Sequence, residues 1–311
     1  MNDKTIFITI PAYEDPQLLS TIQNALDNAR FPDNLFFCIG MQYKDMPDIS
    51  KYFNRDNFKF LFYDVDQRPG VYYIRREMAN EYCGQDYFLM IDSHMTFTHF
   101  WDVLLINDYE NASRLYGNKI VISKPCSETV GSTFDSGNFN DQPGWTVEYD
   151  NDINDLQRTI LPWVDPVRWD GEPFRKSYYA CSHFFFTNKN YISQVGFHEG
   201  IRTYCEELTI SLTTFMSGWD IYMNPIHNLI AHTPRETTRA IYNTDNFSIA
   251  EGKQYTAIQD TDEVKLEIAR FVLTGKTNLI KMDAVRTADE YYISAGLTEA
   301  QEILKKQILK V

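Results

Sequence analysis

The stretch Tyr87-Phe88-Leu89-Met90-Ile91-Asp92-Ser93-His94 decides the fold. Five apolar residues in a row read as a strand buried on both faces. At its C-terminal tip it delivers a carboxylate and, two positions later, an imidazole. Upstream, Thr5 to Ile10 is β-branched and aromatic and stops at Pro11, the pattern of a buried first strand opening into a loop. Asp15-Pro16 precedes Leu18, Leu19, Ile22 and Leu26 at helical spacing, which predicts a helix with Asp15 as its cap and Pro16 in its first turn. Leu35 to Met41 and Phe58 to Val65 read as second and third strands, with a helix around Tyr73 to Tyr82 before the central strand. This alternation predicts a doubly wound α/β sheet, in which ligands bind beyond the C-terminal ends of the strands. The residues to inspect are therefore Pro11 to Asp15, Asp64 to Asp66 and Asp92 to His94, with Asp64 a candidate contact for a bound nucleotide.

Downstream, Cys126 to Ser177 is rich in Gly, Pro, Asn, Asp and Trp and reads as long loops or edge strands, of the kind that carry function. Tyr178 to Thr187 is strand-like, and Glu206 to Met216 is a helix closed by Ser217-Gly218. Beyond Arg239 the pattern turns helical, most clearly at Asp262 to Thr274 and Thr298 to Leu309. The expected organisation is an α/β domain over 1–239 and a helical extension over 240–311.

The chain has 311 residues, 43% of them hydrophobic and 23% charged, which is ample for a core. Its 29 Lys and Arg against 43 Asp and Glu leave a net charge of −14, which gives no support to non-specific binding of nucleic acid or anionic membrane. The cysteines, Cys38, Cys83, Cys126, Cys181 and Cys205, are odd in number and form no CxxC pair, so they read as reduced thiols rather than a disulfide or zinc scaffold. No stretch approaches the roughly 20 apolar residues that cross a bilayer, and the N-terminus lacks a signal-peptide pattern. A soluble, cytoplasmic protein without membrane contacts is expected.

Asp92 and His94 suit a divalent cation held by one carboxylate and one imidazole, with a ligand's diphosphate completing the shell; manganese fits that mixed oxygen and nitrogen set. His232 ends the short apolar run Asn228-Leu229-Ile230-Ala231-His232 and is the candidate third ligand, with His227 its main competitor. His99, His183 and His198 have less favourable settings. Glu206 and Glu207 stand at a helix start, where the dipole alone would favour them and where they could also hydrogen-bond hydroxyls of a substrate. Arg75 and Arg76 could orient a diphosphate, brace Asp92, or pair on the surface.

These segments together resemble the cytoplasmic peptidyl-hydroxyproline N-acetylglucosaminyltransferases and, more distantly, the mucin-type polypeptide N-acetylgalactosaminyltransferases. The likeness runs through Ile8-Thr9-Ile10-Pro11-Ala12-Tyr13-Glu14-Asp15-Pro16, then Gln85 to Met95 with Phe100-Trp101-Asp102. It resumes at Glu206-Glu207, at Gly218-Trp219-Asp220, and at His232 with Arg235 close behind. The resemblance implies a GT-A, Rossmann-like nucleotide-sugar-binding fold and a retaining, metal-dependent transfer of a sugar, GlcNAc favoured, from a UDP-sugar to an acceptor hydroxyl. It implies Asp92, His94 and His232 as manganese ligands (or ligands of another divalent cation), Pro11, Tyr13, Glu14 and Arg75 around UDP, and Glu206 and Glu207 facing the sugar and acceptor. Cys205 stands where these enzymes often have glycine, and Cys126 to Ser177 shows no usable likeness. The acceptor implied is a protein or glycan. Alternatives are a hydroxymethylated base in DNA, as for phage transferases, with Arg168, Arg175 and Lys176 as a basic groove, or a UDP-sugar-binding module without turnover.

Overall fold

The computed structural model describes residues 4–67, 69–124, 126, 173–223, 228–232 and 260–309. Most of the stretch from Cys126 to Ser177, together with Arg168, His227 and Arg235, lies outside the described residues, as does the expected boundary at 239/240.

An eight-stranded sheet is built from β1 (Ile6–Tyr13), β2 (Leu35–Gln42), β3 (Phe58–Phe62), β4 (Tyr87–Ile91), β6 (Ile120–Ser123), β7 (Arg175–Ser177), β8 (Phe184–Asn188) and β9 (Asp220–Met223). Their order is β3-β2-β1-β4-β8-β6-β9-β7. The first four run parallel, β8 inserts antiparallel between β4 and β6, β9 is parallel to β6, and β7 closes the edge antiparallel. A two-stranded antiparallel ribbon pairs β5 (Met95–Phe97) with β10 (Ile230–His232).

The strands at the centre are apolar on both faces because both are covered. Ile6, Ile8 and Ile10 point into one core layer with Leu18 and Ile22 of α1 (Leu18–Asn28) and Trp101 and Leu105 of a long helix, Trp101–Tyr116. Phe7, Cys38, Phe88 and Met90 point to the opposite face. There they meet Tyr72 and Ile74 of the helix Val71–Asn80, Leu208 of the helix Glu206–Met216, and Phe271 and Val272 of the helix Asp262–Thr274. In chain order, with a single turn at Ser50–Phe53 as α2, these are α3 (Val71–Asn80) and α4 (Trp101–Tyr116), followed by α5 (Asn190–Gln194), α6 (Glu206–Met216), α7 (Asp262–Thr274), α8 (Ala288–Ser294) and α9 (Thr298–Ile308).

The α/β class and most elements agree with the sequence, and the differences have local causes. β1 runs through Pro11 because its register with β4 ends at Thr9, so the missing N–H costs the ladder nothing. β3 stops at Phe62, and Asp64 turns the chain by accepting the backbone N–H of Asp66 at 2.9 Å. The strand expected over Tyr178 to Thr187 begins only at Phe184. The backbone N–H groups of Ala180 and Cys181 donate instead to the hydroxyls of Ser211 and Ser123, both at 2.8 Å, which takes them out of any ladder. Asp15 does not cap α1, whose N-cap is Gln17. The C-terminal helices cover the second core layer: the hydroxyl of Tyr291 donates to Tyr178 O at 2.5 Å and that of Tyr292 to Val272 O at 3.0 Å. No helix among the described residues is long and apolar enough to cross a membrane.

Candidate metal centre and donor site

The loop after β4 is held from α1. The buried hydroxyl of Thr21 donates to Ser93 O at 2.8 Å and accepts the Met95 N–H at 2.9 Å, fixing the Asp92-Ser93-His94 turn. The ribbon then sets the third residue. Because β5 and β10 pair with His232 opposite Met95, a residue far along the chain arrives beside His94.

The donor atoms converge. His94 Nε2 lies 2.9 Å from His232 Nε2, and Asp92 Oδ2 lies 3.9 Å and 4.0 Å from those same nitrogens. Asp15, whose side chain is fully buried, accepts from His94 Nδ1 at 2.7 Å and from Ser93 Oγ at 2.6 Å. A carboxylate can only accept, so Nδ1 carries the proton and His94 Nε2 presents a lone pair toward His232 Nε2. Two facing imidazole nitrogens with a carboxylate beside them suit a shared cation, and a carboxylate behind the ligating histidine is the usual support of such a site. The residues therefore fit a divalent cation of the manganese class.

Arg75 is the hub behind the centre. Its guanidinium is 2% exposed; Nη2 reaches Asp92 Oδ1 at 2.9 Å and Nε reaches Glu206 Oε1 at 2.7 Å. Burial alone would raise the Asp92 carboxyl, but Arg75, then His183, His94 and His232, hold it down to about 2, so it is ionised. Burial, with the Glu207 and Asp92 charges, pushes Glu206 up to about 7 against the pull of Arg75. Asp92 and Glu206 share one guanidinium yet are driven in opposite directions, and the more deeply buried of the two is the one pushed up.

Glu207 Oε1 accepts from Ser182 N at 2.8 Å and Ser182 Oγ at 3.0 Å, and Tyr179 hydrogen-bonds the other oxygen. The glutamate pair thus splits at the head of α6, Glu206 toward Arg75 and Glu207 toward the loop before β8. Cys205, just ahead of the pair, has φ 51, the left-handed region that glycine adopts without cost.

Pro11 and Tyr13 lie partly buried at the C-terminal end of β1. Glu14 follows at φ 47, with its carboxylate on the Lys44 N–H. Asp64 is exposed at the end of β3, occupied with the Asp66 N–H. These four share the edge of the sheet on which Asp92 stands, while Asp92, His94, His232, Arg75 and Glu206 make direct contacts. Arg76 pairs with Glu77 and Glu199, the surface alternative. The sequence reading named Asp15 and His183 without giving either a part in the centre. Asp15 had a helix-cap explanation that concealed it. His183, with its ring 5.4 Å from that of His232, follows a loop that the strand pattern absorbed.

The family described as Glycosyltransferase (GlcNAc) matches residues 44–295. No curated protein matches the chain. Among solved structures, the crystal structure of GalNAc-T7 with UDP, GalNAc and Mn2+ superposes with a TM-score of 0.55 at 13% identity, covering 75% of this chain and 44% of that one. S. aureus TarS 1-349 gives a TM-score of 0.50 at 10% identity over 98% of this chain and 70% of that one. The same fragment in complex with UDP-GlcNAc also gives 0.50 at 10% identity, over 98% and 71%. At these identities the likeness is one of fold, the mixed α/β sheet of the GT-A type. The chain spans less than half the length of the GalNAc-T7 chain it resembles.

Proposed function

The chain belongs to the Glycosyltransferase (GlcNAc) family, and we propose that it transfers a sugar, GlcNAc by preference, from a UDP-sugar to an acceptor hydroxyl on a protein or glycan, with retention of configuration. The observation that carries this reading is the convergence of Asp92, His94 and His232 beyond the C-terminal end of β4, where an α/β sheet binds its ligand. A divalent cation held there would offset the charge that develops on the UDP leaving group. The other roles belong to side chains of the chain itself. Arg75 keeps Asp92 ionised and pointed at the histidines, and Asp15 fixes the tautomer of His94. Pro11, Tyr13, Glu14 and Asp64 border the nucleotide along the strand ends. Glu206 and Glu207 at the head of α6 face the sugar and acceptor, Glu206 with a carboxyl that can hold a proton near neutral pH. The finer likeness to the peptidyl-hydroxyproline enzymes makes a protein hydroxyl the first acceptor to try.

The test is UDP release from a panel of UDP-sugars with manganese and no acceptor. The expected result is slow release confined to one sugar, abolished by chelator and by Asp92→Ala. Release that ignores chelator and Asp92→Ala, or failure of every UDP-sugar to bind or turn over, would overturn the assignment.

A further inference from the structure

Beside the Asp92 centre lies a second group of ligand-type side chains, of which only Glu207 has a place in the proposed transfer. Cys181, His183 and Glu207 each bring one ligand atom to within 4.8 Å of the others. Cys181 Sγ is 3.2 Å from His183 Nδ1 and 3.3 Å from its Nε2. The spacing along the chain gave no hint of this, because the third member arrives from another element, the head of α6.

The three are held in place by the fold. Ser123, at the end of β6, accepts the Cys181 N–H at 2.8 Å and donates to Phe184 O at 2.8 Å, while Cys181 O accepts the Phe184 N–H at 3.2 Å, so both backbone groups of the cysteine are pinned. Glu207 is tied to the same loop through Ser182. The backbone N–H of Cys126 donates to the lone pair of His183 Nε2 at 3.1 Å, which leaves the proton on Nδ1, and a cation bound at Nε2 takes that lone pair over from the N–H.

We infer that Cys181, His183 and Glu207 form a second cation site, selective for a thiophilic divalent ion of the zinc or cobalt class and adjacent to the Asp92 centre. A thiolate, an imidazole and a carboxylate are the donor set such ions prefer, whereas manganese prefers oxygen. Without a cation, burial first and then the charges of Glu207, Cys126 and Asp92 keep the Cys181 thiol protonated well above its ordinary range. A bound divalent ion supplies the positive charge that these groups lack and releases the thiol proton on binding.

Cobalt(II) is the probe, added to the full chain carrying Cys83→Ser, which removes the exposed thiol. One equivalent is expected to give a sulfur-to-cobalt charge-transfer band in the near ultraviolet. The band should disappear with Cys181→Ser, weaken with His183→Asn and persist with Asp92→Asn, each variant checked by circular dichroism. Absence of the band in the parent protein overturns the proposal regardless of how the variants fold. So does a band that survives Cys181→Ser, or one lost in a folded Asp92→Asn, which would make the thiol a mere neighbour of the first centre. No nucleotide takes part, so the outcome is separate from that of the donor assignment.

Discussion

Asp15 illustrates what one side chain contributes. Its carboxylate is buried against His94 and Ser93, so it orients the proposed ligand His94 from behind. Asp15→Asn keeps the size and one hydrogen bond but removes the charge that favours Nδ1–H. Manganese affinity, read by the electron paramagnetic resonance of the free ion, is expected to fall about 10–100-fold in a folded protein; an unchanged affinity would contradict the role. A separate pH effect belongs to His198, whose Nε2 is buried with no hydrogen-bond partner among the described residues. Burial holds this imidazole down to about 4. The unfolded chain binds the proton below pH ~6.5, whereas the folded state resists until about 4. The stability is therefore complete above the unfolded value and is lost as pH falls through that window, by roughly 3 kcal/mol. His198→Phe should flatten the fall in stability between pH ~6.5 and ~4 by that order in urea titrations; an unaltered slope would assign the loss to other groups. At this scale Asp92, His94, His232 and Arg75 could be picked out as candidates from the sequence because strand ends, helix starts and residue chemistry coincide there, and the structure brings the four together. The contacts of Asp15 with His94 and of His183 with His232 could not be read there, because they are made across space.

Among elements, the approach of α3 to the sheet is what places Arg75 under Asp92, and Gly40 on β2 permits it. A Cβ at Gly40 would lie 2.3 Å from Ile74 Cγ2. Gly40→Ala is expected to cost about 1–3 kcal/mol in denaturant unfolding, the usual penalty of overpacking. A neutral result would mean that α3 shifts freely, and Arg75 would then be a poor brace. The same helix is anchored at its start, where Gly70 has φ 94 and Arg202 O accepts the Tyr72 N–H at 2.8 Å. Asp260 in turn accepts the N–H groups of Arg202, Thr203 and Tyr204 at 2.8–2.9 Å, so the entry to α6 and its glutamates is tied to the start of α3. Strands β2 and β4 and helices α6 and α7 could be read from the sequence because their apolar periods and caps agree. The β5–β10 ribbon could not: three residues on each side carry no period, and only their pairing defines them.

For the whole molecule, the parallel half of the sheet was visible as strand and helix in alternation. The insertion of β8 between β4 and β6 was not, since antiparallel placement leaves no mark on an apolar run. The topology nevertheless brings the candidate site residues to one edge. Asp92 ends β4, His232 comes by way of the ribbon, Glu206 and Glu207 head α6, and Arg75 rises from α3. The helical C-terminal element packs into the core layer that supports α6, so it shares in positioning the glutamates. The central claim is that Asp92, His94 and His232 hold a divalent cation on which UDP binding depends. Calorimetric titration of UDP into the protein with manganese and with chelator tests it most directly. The account predicts binding with manganese, none with chelator, and loss of the manganese-dependent signal in both Asp92→Asn and His232→Ala. Equal affinity for UDP with and without the cation, unmoved by either substitution, would contradict it.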